Sequence, residues 1–323
     1  MTFPEVPDLT RHLQTLLQQI PAGSVTTCGD LAEALGNPIA ARWVGHFALH
    51  HDHQAGCVCH RIARAGGQLG EYIAGSLQTK ARRLAAEGVV VRQGTVDLRQ
   101  YGFDQFVSDR PLEKLRQVQE SLVAKVSLRP RRRMPKLVGG VDVSYPQADV
   151  GVAAFALVET ETGRLAWSTS IRSRVVFPYI TSYLSFRELP ILLELLDEVR
   201  AVGRQAEVLL VDGSGILHQR HAGIATHLGV VAALPTIGIT KKLLCGRVDL
   251  EAMQPGESRP VIHEDRLIGV ALRPTAGSRR PIFVSPGHRV DVAFAERLVR
   301  RLLSGRRLPE PLYWADRLSR AAK

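Results

Sequence analysis

Four side chains in the second half of the sequence are of types that bind metal ions or phosphate. Asp142 lies inside one apolar stretch, and Asp212 ends another. A carboxylate in a strand is costly to bury unpaired, and a metal ion is one of its usual partners. Carboxylate oxygens suit hard ions such as Mg²⁺, which also binds substrate phosphate. Glu188 would supply a third acid for a two-ion site, and His288 could ligate a metal or bind phosphate.

Each of these residues also has an ordinary structural explanation. Asp142 could cap a turn, and Asp212 could open a β-turn because Asp-Gly is common there. Glu188 could simply favour the beginning of a helix. His288 could be a loop residue. Taken one at a time, the residue types leave both explanations open.

A possible nucleophile lies nearer the N-terminus, where Cys59 precedes His60. A thiolate is the reactive form of cysteine, and a nearby base lowers the barrier to forming it. A cluster of histidines and cysteines around Cys59 also raises the question of a zinc site; it comprises His46, His50, His51, His53, Cys57 and Cys59. Cys57 and Cys59, however, are closer in sequence than typical zinc-binding pairs. We therefore expect most of the histidines in this cluster to lie on the surface.

Two different patterns of secondary structure must position these groups. Residues 30–35 and 39–50 are typical of two short helices around a Gly-containing turn, and 89–99 alternates like a small hairpin or wing. Beyond residue 137, strands alternate with helices, which favours a mixed sheet with helices on its faces. The sequence predicts an α/β protein with domains at 1–103 and 111–323. The predicted strands are 137–143, 150–158, 165–175, 208–211, 234–239 and 267–272, and the predicted helices after 137 are 185–202, 221–231 and 292–303.

Composition narrows the class of protein. The 323 residues carry a net charge of +11, and nearly all the excess lies in 101–323. Such an excess favours a polyanionic partner, although it could equally serve solubility. The sharpest basic cluster is Arg129-Pro-Arg-Arg-Arg133. No apolar run is long enough for a membrane span and no signal peptide is evident, so we expect a cytoplasmic protein with reduced cysteines.

Blocks in the second half, at about 111–316, resemble the endonuclease V family in order and spacing. The resemblance implies an RNase H-like fold and hydrolysis of the second phosphodiester 3′ to deoxyinosine in DNA. The blocks include Gly140-Val-Asp-Val-Ser-Tyr145, Phe177-Pro-Tyr-Ile180, Leu184-Ser-Phe-Arg-Glu188, Asp212-Gly-Ser-Gly215, Pro235-Thr-Ile-Gly238 and Pro281-Ile-Phe-Val-Ser-Pro-Gly-His288.

The same resemblance implies roles at the phosphate. Asp142, Glu188 and Asp212 would hold Mg²⁺, or Mn²⁺ in its place. His288 would lie close to the metal and the scissile phosphate, and Lys241 would contact the phosphate region. No small-molecule cofactor other than the metal is implied. The ion would activate water and stabilise charge in the transition state.

Further roles concern the damaged base, which must leave the stack because its edges are inaccessible inside a duplex. The resemblance implies that Tyr179 is a wedge that fills the gap. Main chain near Leu184, Gly213 and Ile224 would line the base pocket. The family usually continues the wedge loop with Pro-Gly, where this sequence has Thr181-Ser182. The departure predicts a more flexible wedge loop and bears on base selectivity, whereas the acids are unchanged.

Residues 8–92 resemble the DNA-binding domain of O6-alkylguanine-DNA alkyltransferases and alkyltransferase-like proteins. The resemblance implies that Cys59 accepts the alkyl group, that a water links it to His60, and that Glu87 orients the ring. Arg42 would be the finger that enters the base stack, and Tyr72 lies in the loop after the active site. The matching blocks include Ile20-Pro-Ala-Gly-Ser-Val-Thr-Thr-Cys-Gly-Asp-Leu-Ala32, Ala41-Arg-Trp-Val-Gly45 and Cys59-His-Arg-Ile62.

Three departures bear on transfer. Val58 replaces the usual proline, Cys28 stands where a tyrosine helps to rotate the nucleotide, and His51 replaces an asparagine. Alkyltransferase-like proteins bind lesions without a reactive cysteine, but Cys59 is present here. We therefore predict a bifunctional repair protein that acts on alkylated and deaminated DNA bases. The alternatives are binding without transfer, a sensor without enzyme activity, and a nuclease that acts on inosine in RNA.

Overall fold

The structure, a computed structural model, describes residues 3–54, 56–275, 277–278 and 280–321. These form two compact units: residues 6–117 with 177–181, and residues 3–5 and 118–176 with 182–321. The division falls inside a helix, Pro111–Val123, rather than in the expected linker at 104–110. The beginning of this helix is tied to the first unit, since the Leu112 N–H donates to the Leu35 carbonyl. The domain limits read from sequence therefore remain a prediction.

The first unit is a small winged helix-turn-helix, which confirms the fold predicted for it. Helix α2 begins with a capping box in which the Thr27 hydroxyl accepts from the Asp30 N–H and the Asp30 carboxylate accepts from the Thr27 N–H. Strands β3 and β4 form the wing. The elements are α1 (Leu9–Leu17), β1 (Thr26–Thr27), α2 (Cys28–Ala34), α3 (Ala41–His50), β2 (Ile62–Ala63), α4 (Leu77–Ala86), β3 (Val91–Arg92), β4 (Thr95–Val96) and α5 (Leu98–Tyr101), with short 3₁₀ turns at Pro38–Ala40 and Cys59–Arg61.

The second unit contains a mixed eight-stranded sheet, which confirms the predicted class. Its strand order is β10-β11-β12-β9-β8-β5-β6-β7, with β5, β8 and β9 parallel and the remaining pairs antiparallel. The elements that follow α6 (Pro111–Val123) are β5 (Leu137–Gln147), β6 (Val150–Glu159), β7 (Leu165–Arg174), α7 (Leu184–Ala201), β8 (Val208–Asp212), α8 (Ile224–Val231), β9 (Thr236–Thr240), β10 (Ser258–His263), β11 (Arg266–Leu272), β12 (Ile282–His288), α9 (Val292–Arg301) and α10 (Glu310–Ala321).

Two apolar layers cover the faces of this sheet. One layer joins Val138 and Leu210 to residues of α9 and α10, such as Leu312. The other joins Val141 and Val211 to residues of α7 and α8. Because side chains alternate along a strand, Asp142 and Asp212 belong to the face that α10 covers.

Three elements of the second unit were not predicted: β10, β12 and α10. Strand β12 contains Pro286-Gly287, a pair that normally argues against a strand. The structure accommodates it with a register shift against β9 between Pro286 and His288, and bulges are where proline is tolerated in a sheet. Within the described residues, no helix has both the length and the apolar character needed to cross a membrane.

Candidate active sites

Sheet register brings the two predicted strand carboxylates side by side. Val141 of β5 pairs with Val211 of β8 in a parallel ladder. Asp142 and Asp212 therefore follow at the same level on neighbouring strands, about 4.8 Å apart in the hydrogen-bonding direction. Asp142 is buried, whereas Asp212 at the end of its strand is partly exposed. One acid is fixed inside the sheet and the other opens toward solvent.

The third member of this cluster is Asp316 on α10, which the sequence did not indicate. Ligand oxygens of Asp142, Asp212 and Asp316 all lie within 4.8 Å of one another. The Ser319 hydroxyl, one turn along α10, lies 2.7 Å from Asp142 Oδ2. Helix α10 comes this close because Gly140 has no side chain, since a Cβ there would stand 2.3 Å from the Pro311 main chain.

Glu188 reaches the same region from the first turns of α7. Its carboxylate is buried, and Oε1 accepts a hydrogen bond of 3.0 Å from the Tyr145 hydroxyl. Burial raises the pKa of Glu188 to about 8, and the charges of Asp142 and Asp212 act in the same direction. The Tyr145 bond opposes the shift without cancelling it. Glu188 is thus electrostatically coupled to the two strand acids.

The acids crowd negative charge into a buried space. Burial, followed by the charge of Asp212, raises the pKa of Asp142 to about 7. Lys241 offsets part of this negative charge. Its Nζ lies 3.3 Å from Asp212 Oδ2, and its side chain is partly exposed. Three converging carboxylates with this little compensation suit a hard divalent cation. The cluster could therefore hold a metal ion.

The structure does not bring His288 to the acids. His288 pairs with Thr236, which pairs with Leu209, three residues before Asp212 on β8. Three residues along a strand correspond to about 10 Å. Its Nδ1 instead accepts a bond of 3.3 Å from the Ser127 N–H. The expectation that His288 lies beside the metal is not supported, because the register places it well below that end of the sheet.

Two of the residues expected to line a base pocket are in contact, and the third packs against the same apolar layer. Gly213 has φ +147°, and a Cβ on it would stand 2.2 Å from Ile224 Cγ2. Ile224 belongs to the apolar layer under α7 and α8, and Leu184 packs against that layer. Glycine is required at 213 both for its backbone angle and for the close approach of Ile224.

The expected wedge, Tyr179, is 65% exposed in the loop between β7 and α7. At the end of this loop Ser182 has φ +68°, the left-handed region that favours glycine. Its carbonyl accepts bonds of 3.1 Å from Gln119 and 2.6 Å from Arg220. The loop thus keeps a glycine-like backbone without the glycine that is usual in the family, and two donors hold it there.

We expect Ser182→Gly to raise the free energy of unfolding by about 0.5–1 kcal/mol, because it relieves the left-handed strain and part of that gain is offset by the freer unfolded chain. Urea denaturation measures the change. The matched control is Thr181→Gly, at a position outside the left-handed region, which should lower stability. If both substitutions lowered it equally, the backbone angle at 182 would carry no strain.

In the first unit, His60 and Glu87 meet as expected. His60 Nε2 lies 2.7 Å from Glu87 Oε1. Arg61 also donates two hydrogen bonds of 2.8 Å to the Glu87 carboxylate, and its Nη1 donates to the Ile20 carbonyl. Burial alone would raise the pKa of Glu87, but the bonds from Arg61 and His60 together lower it to about 2. Glu87 is therefore a fixed anion that orients the ring.

Cys59 is buried beside this pair. Burial, with a contribution from neighbouring Cys57, raises the pKa of the Cys59 thiol to about 12. The His53 imidazole is within hydrogen-bonding reach of its sulfur, with Nδ1 at 3.5 Å. His60 Nδ1 is buried and has no hydrogen-bond partner among the described residues. Sequence reasoning pointed to His60 as the neighbouring base and did not anticipate His53.

A cavity of about 160 Å³ opens beside the thiol. Its lining includes Cys59, Cys28, Tyr72 and Lys80. The Tyr72 hydroxyl accepts from Arg83 at 2.9 Å. Lys80 is buried, donates to the Ile62 carbonyl at 2.6 Å and also donates to the Leu69 carbonyl. Burial lowers the pKa of Lys80 to about 8. Cys28 lines the same cavity as the thiol, at the position where the resemblance implies a tyrosine.

Arg42 lies elsewhere on the same unit. It is in the first turn of α3, the second helix of the helix-turn-helix, and it is exposed. Its guanidinium is therefore available on the helix that such folds present to DNA.

Comparison with known proteins finds a matching family for each of the two units. The family described as Endonuclease V matches residues 120–317, and the 6-O-methylguanine DNA methyltransferase DNA-binding domain matches residues 8–89. A bifunctional methyltransferase/endonuclease of Picrophilus torridus is 32% identical over 91% of this chain and 90% of its own.

Solved structures agree for the second unit. The catalytic domain of human endonuclease V is 32% identical over 67% of this chain and 96% of that one, with a TM-score of 0.61. Ciona intestinalis endonuclease V, in complex with a DNA that contains inosine followed by a ribo-adenosine, is 26% identical over 66% of this chain and 98% of that one, with a TM-score of 0.60. The chain belongs to the endonuclease V family, in the form in which that nuclease is joined to an alkyltransferase DNA-binding domain.

Proposed function

We propose that this bifunctional methyltransferase/endonuclease cuts DNA at the second phosphodiester 3′ to deoxyinosine and removes alkyl groups from O6-alkylguanine. The observation that carries the nuclease half is the convergence of Asp142, Asp212 and Asp316 within 4.8 Å. A relative of the same fold was crystallised with inosine-containing DNA, and most of the net charge of this chain lies in its nuclease part.

The proposed ion is Mg²⁺, with Mn²⁺ as a substitute. When bound, it would supply a nucleophilic water and stabilise charge on the phosphate. Asp142, Asp212 and Asp316 would hold it, with Glu188 beside them. Lys241, partly exposed and 3.3 Å from Asp212, is suited to contact a phosphate oxygen. Water attacks phosphorus, the bond to the 3′ oxygen breaks, and 3′-hydroxyl and 5′-phosphate ends result.

Base recognition would use the main chain at Gly213 and the apolar surface of Ile224 and Leu184, with Tyr179 as the wedge. The test is a nicking assay on an inosine duplex and on a matched adenosine duplex. We expect a cut only in the inosine strand, complete loss with EDTA and recovery with Mg²⁺. Cutting that continued in EDTA would contradict the metal assignment. Faster cutting of an inosine RNA would instead favour RNA as the substrate.

In the other half, the sulfur of Cys59 would attack the alkyl carbon of a flipped guanine. A C–S bond forms, the bond from carbon to O6 breaks, and the departing guanine anion takes up one proton, from the thiol or from water. Glu87, fixed by Arg61, would hold His60 beside the thiol. The cavity next to Cys59, lined by Tyr72, would receive the base, and Arg42 would take its place in the duplex.

We expect incubation with O6-methylguanine DNA to add one methyl group to the intact chain, because transfer to a cysteine is stoichiometric. Peptide mass spectrometry should place it on Cys59. The matched control is Cys28→Ser, which changes another cysteine of the same cavity and should leave the adduct in place, whereas Cys59→Ser should abolish it. Tight binding of the lesion without an adduct in the wild type would leave a binding role only.

A further inference from the structure

Four potential metal ligands converge at one end of helix α3. Ligand atoms of His51, His53, Cys57 and Cys59 all lie within 4.8 Å of one another. His51 Nε2 is 3.1 Å from Cys57 Sγ, and His53 Nδ1 is 3.5 Å from Cys59 Sγ. In a tetrahedral zinc site, bond lengths near 2.0–2.3 Å separate a nitrogen from a sulfur ligand by about 3.5 Å. One of the two donor pairs stands at that spacing, and the other is about 0.4 Å closer.

The orientation of His51 is that of a metal ligand. Its Nδ1 lies 2.9 Å from the Phe47 carbonyl oxygen, which only a protonated nitrogen can satisfy. The proton on Nδ1 leaves the lone pair on Nε2, the atom that faces Cys57. Histidines that bind metals commonly donate their other ring N–H to a carbonyl in this way. The Phe47 ring, stacked on the imidazole at 4.9 Å, further fixes its plane.

The backbone removes the objection that the two cysteines are too close in sequence. Val58 separates them, with φ −98° and ψ 17°, and a 3₁₀ turn begins at Cys59. The chain turns at this point instead of extending, so the two sulfurs come to the same side and not to opposite sides as in a strand. The Arg61 N–H donates to the Val58 carbonyl and closes the turn.

We propose that His51, His53, Cys57 and Cys59 form a tetrahedral Zn²⁺ site. Two thiolates and two imidazoles are the donor set of many structural zinc sites, and they disfavour Mg²⁺, which takes oxygen ligands. The two thiolates would balance the charge of the ion. All four ligands belong to the first unit, whereas the three aspartates belong to the second. Cys59 would then be a metal-bound thiolate, because a coordinating thiol is deprotonated.

The proposal is tested on the full-length chain with Asp142→Asn and Asp212→Asn in every sample, so that the carboxylate cluster does not contribute metal. We expect about one zinc per chain by plasma mass spectrometry after dialysis. Replacement of zinc by Co²⁺ should give a thiolate-to-cobalt charge-transfer band in the near ultraviolet and intense visible bands typical of tetrahedral cobalt. A carboxylate site gives no thiolate band.

Matched variants locate the ligands. Cys57→Ser and His53→Ala should each weaken zinc binding by more than about 10-fold, because loss of a residue that only hydrogen-bonds to a metal ligand already lowers metal affinity by that much. The control is His46→Ala with His50→Ala, two rings that stack on each other at 4.1 Å outside the cluster; it should bind zinc as the parent does. Absence of the thiolate–cobalt band from the parent chain, whose folding no ligand substitution affects, would overturn the proposal, as would full zinc content in the Cys57→Ser variant.

Discussion

Asp142→Asn is expected to lower the rate of nicking at inosine by about 10³-fold or more. The side chain is buried on β5 and shares the cluster with Asp212 and Asp316. An amide presents one neutral oxygen where the ion needs a charged one, so the proposed metal loses both affinity and position. The measurement is single-turnover cleavage of an inosine duplex at saturating Mg²⁺.

The same substitution should not harm the fold. Asparagine fills the same volume and can still accept the bond from Ser319, 2.7 Å away in the native protein. The substitution also removes the buried negative charge of Asp142, which the negative charge of Asp212 repels. Without metal, the free energy of unfolding of the variant should therefore equal or exceed that of the wild type. Loss of activity together with loss of stability would show that Asp142 acts structurally, and near-normal activity would remove it from the site.

Much of this architecture was predictable from local pattern. The apolar runs around Asp142 and before Asp212 form β5 and β8, and both acids stand where those strands meet. The helix-turn-helix was predictable because Gly36 and the Asn37 cap punctuate it. Such signals are local, so they survive without knowledge of the tertiary fold.

One of the missed elements, strand β12, depends on a tertiary contact, whereas helix α10 carried a local signal. Strand β12 carries Pro286-Gly287, and only a register shift against β9 makes it a strand. That is why Ser285-Pro-Gly-His288 was interpreted as a loop that could reach a metal. Helix α10 does bury one side at helical spacing, with Leu312, Ala315 and Ser319 on it. This spacing was the available signal for α10 and hence for Asp316.

The histidine and cysteine neighbourhood is a case in which spacing along the sequence could not show which side chains the backbone brings together. Sequence spacing argued against zinc, because one residue between Cys57 and Cys59 is unusually short. The 3₁₀ turn at Cys59 brings their sulfurs together, and the end of α3 at His50 turns His51 and His53 toward them. Spacing rules assume a loop geometry that this chain does not adopt.

Asp316→Asn should lower nicking by about 10²-fold or more at limiting Mg²⁺, whereas His288→Asn should leave it within about 3-fold. Asp316 lies within 4.8 Å of Asp142 and Asp212, while strand register holds His288 about 10 Å lower. Asparagine can accept the bond that His288 receives from Ser127, so the comparison tests metal binding more than folding.

A titration of Mg²⁺ separates the two residues most clearly. Loss of a metal ligand raises the concentration of Mg²⁺ that gives half the maximal rate, so this concentration should rise for Asp316→Asn and stay constant for His288→Asn. A reversed result, with His288→Asn inactive and Asp316→Asn normal, would mean that the ion binds away from the three aspartates. Because α10 comes from the far end of the chain, the expected result would also show that the nuclease site is complete only when α10 packs on Gly140.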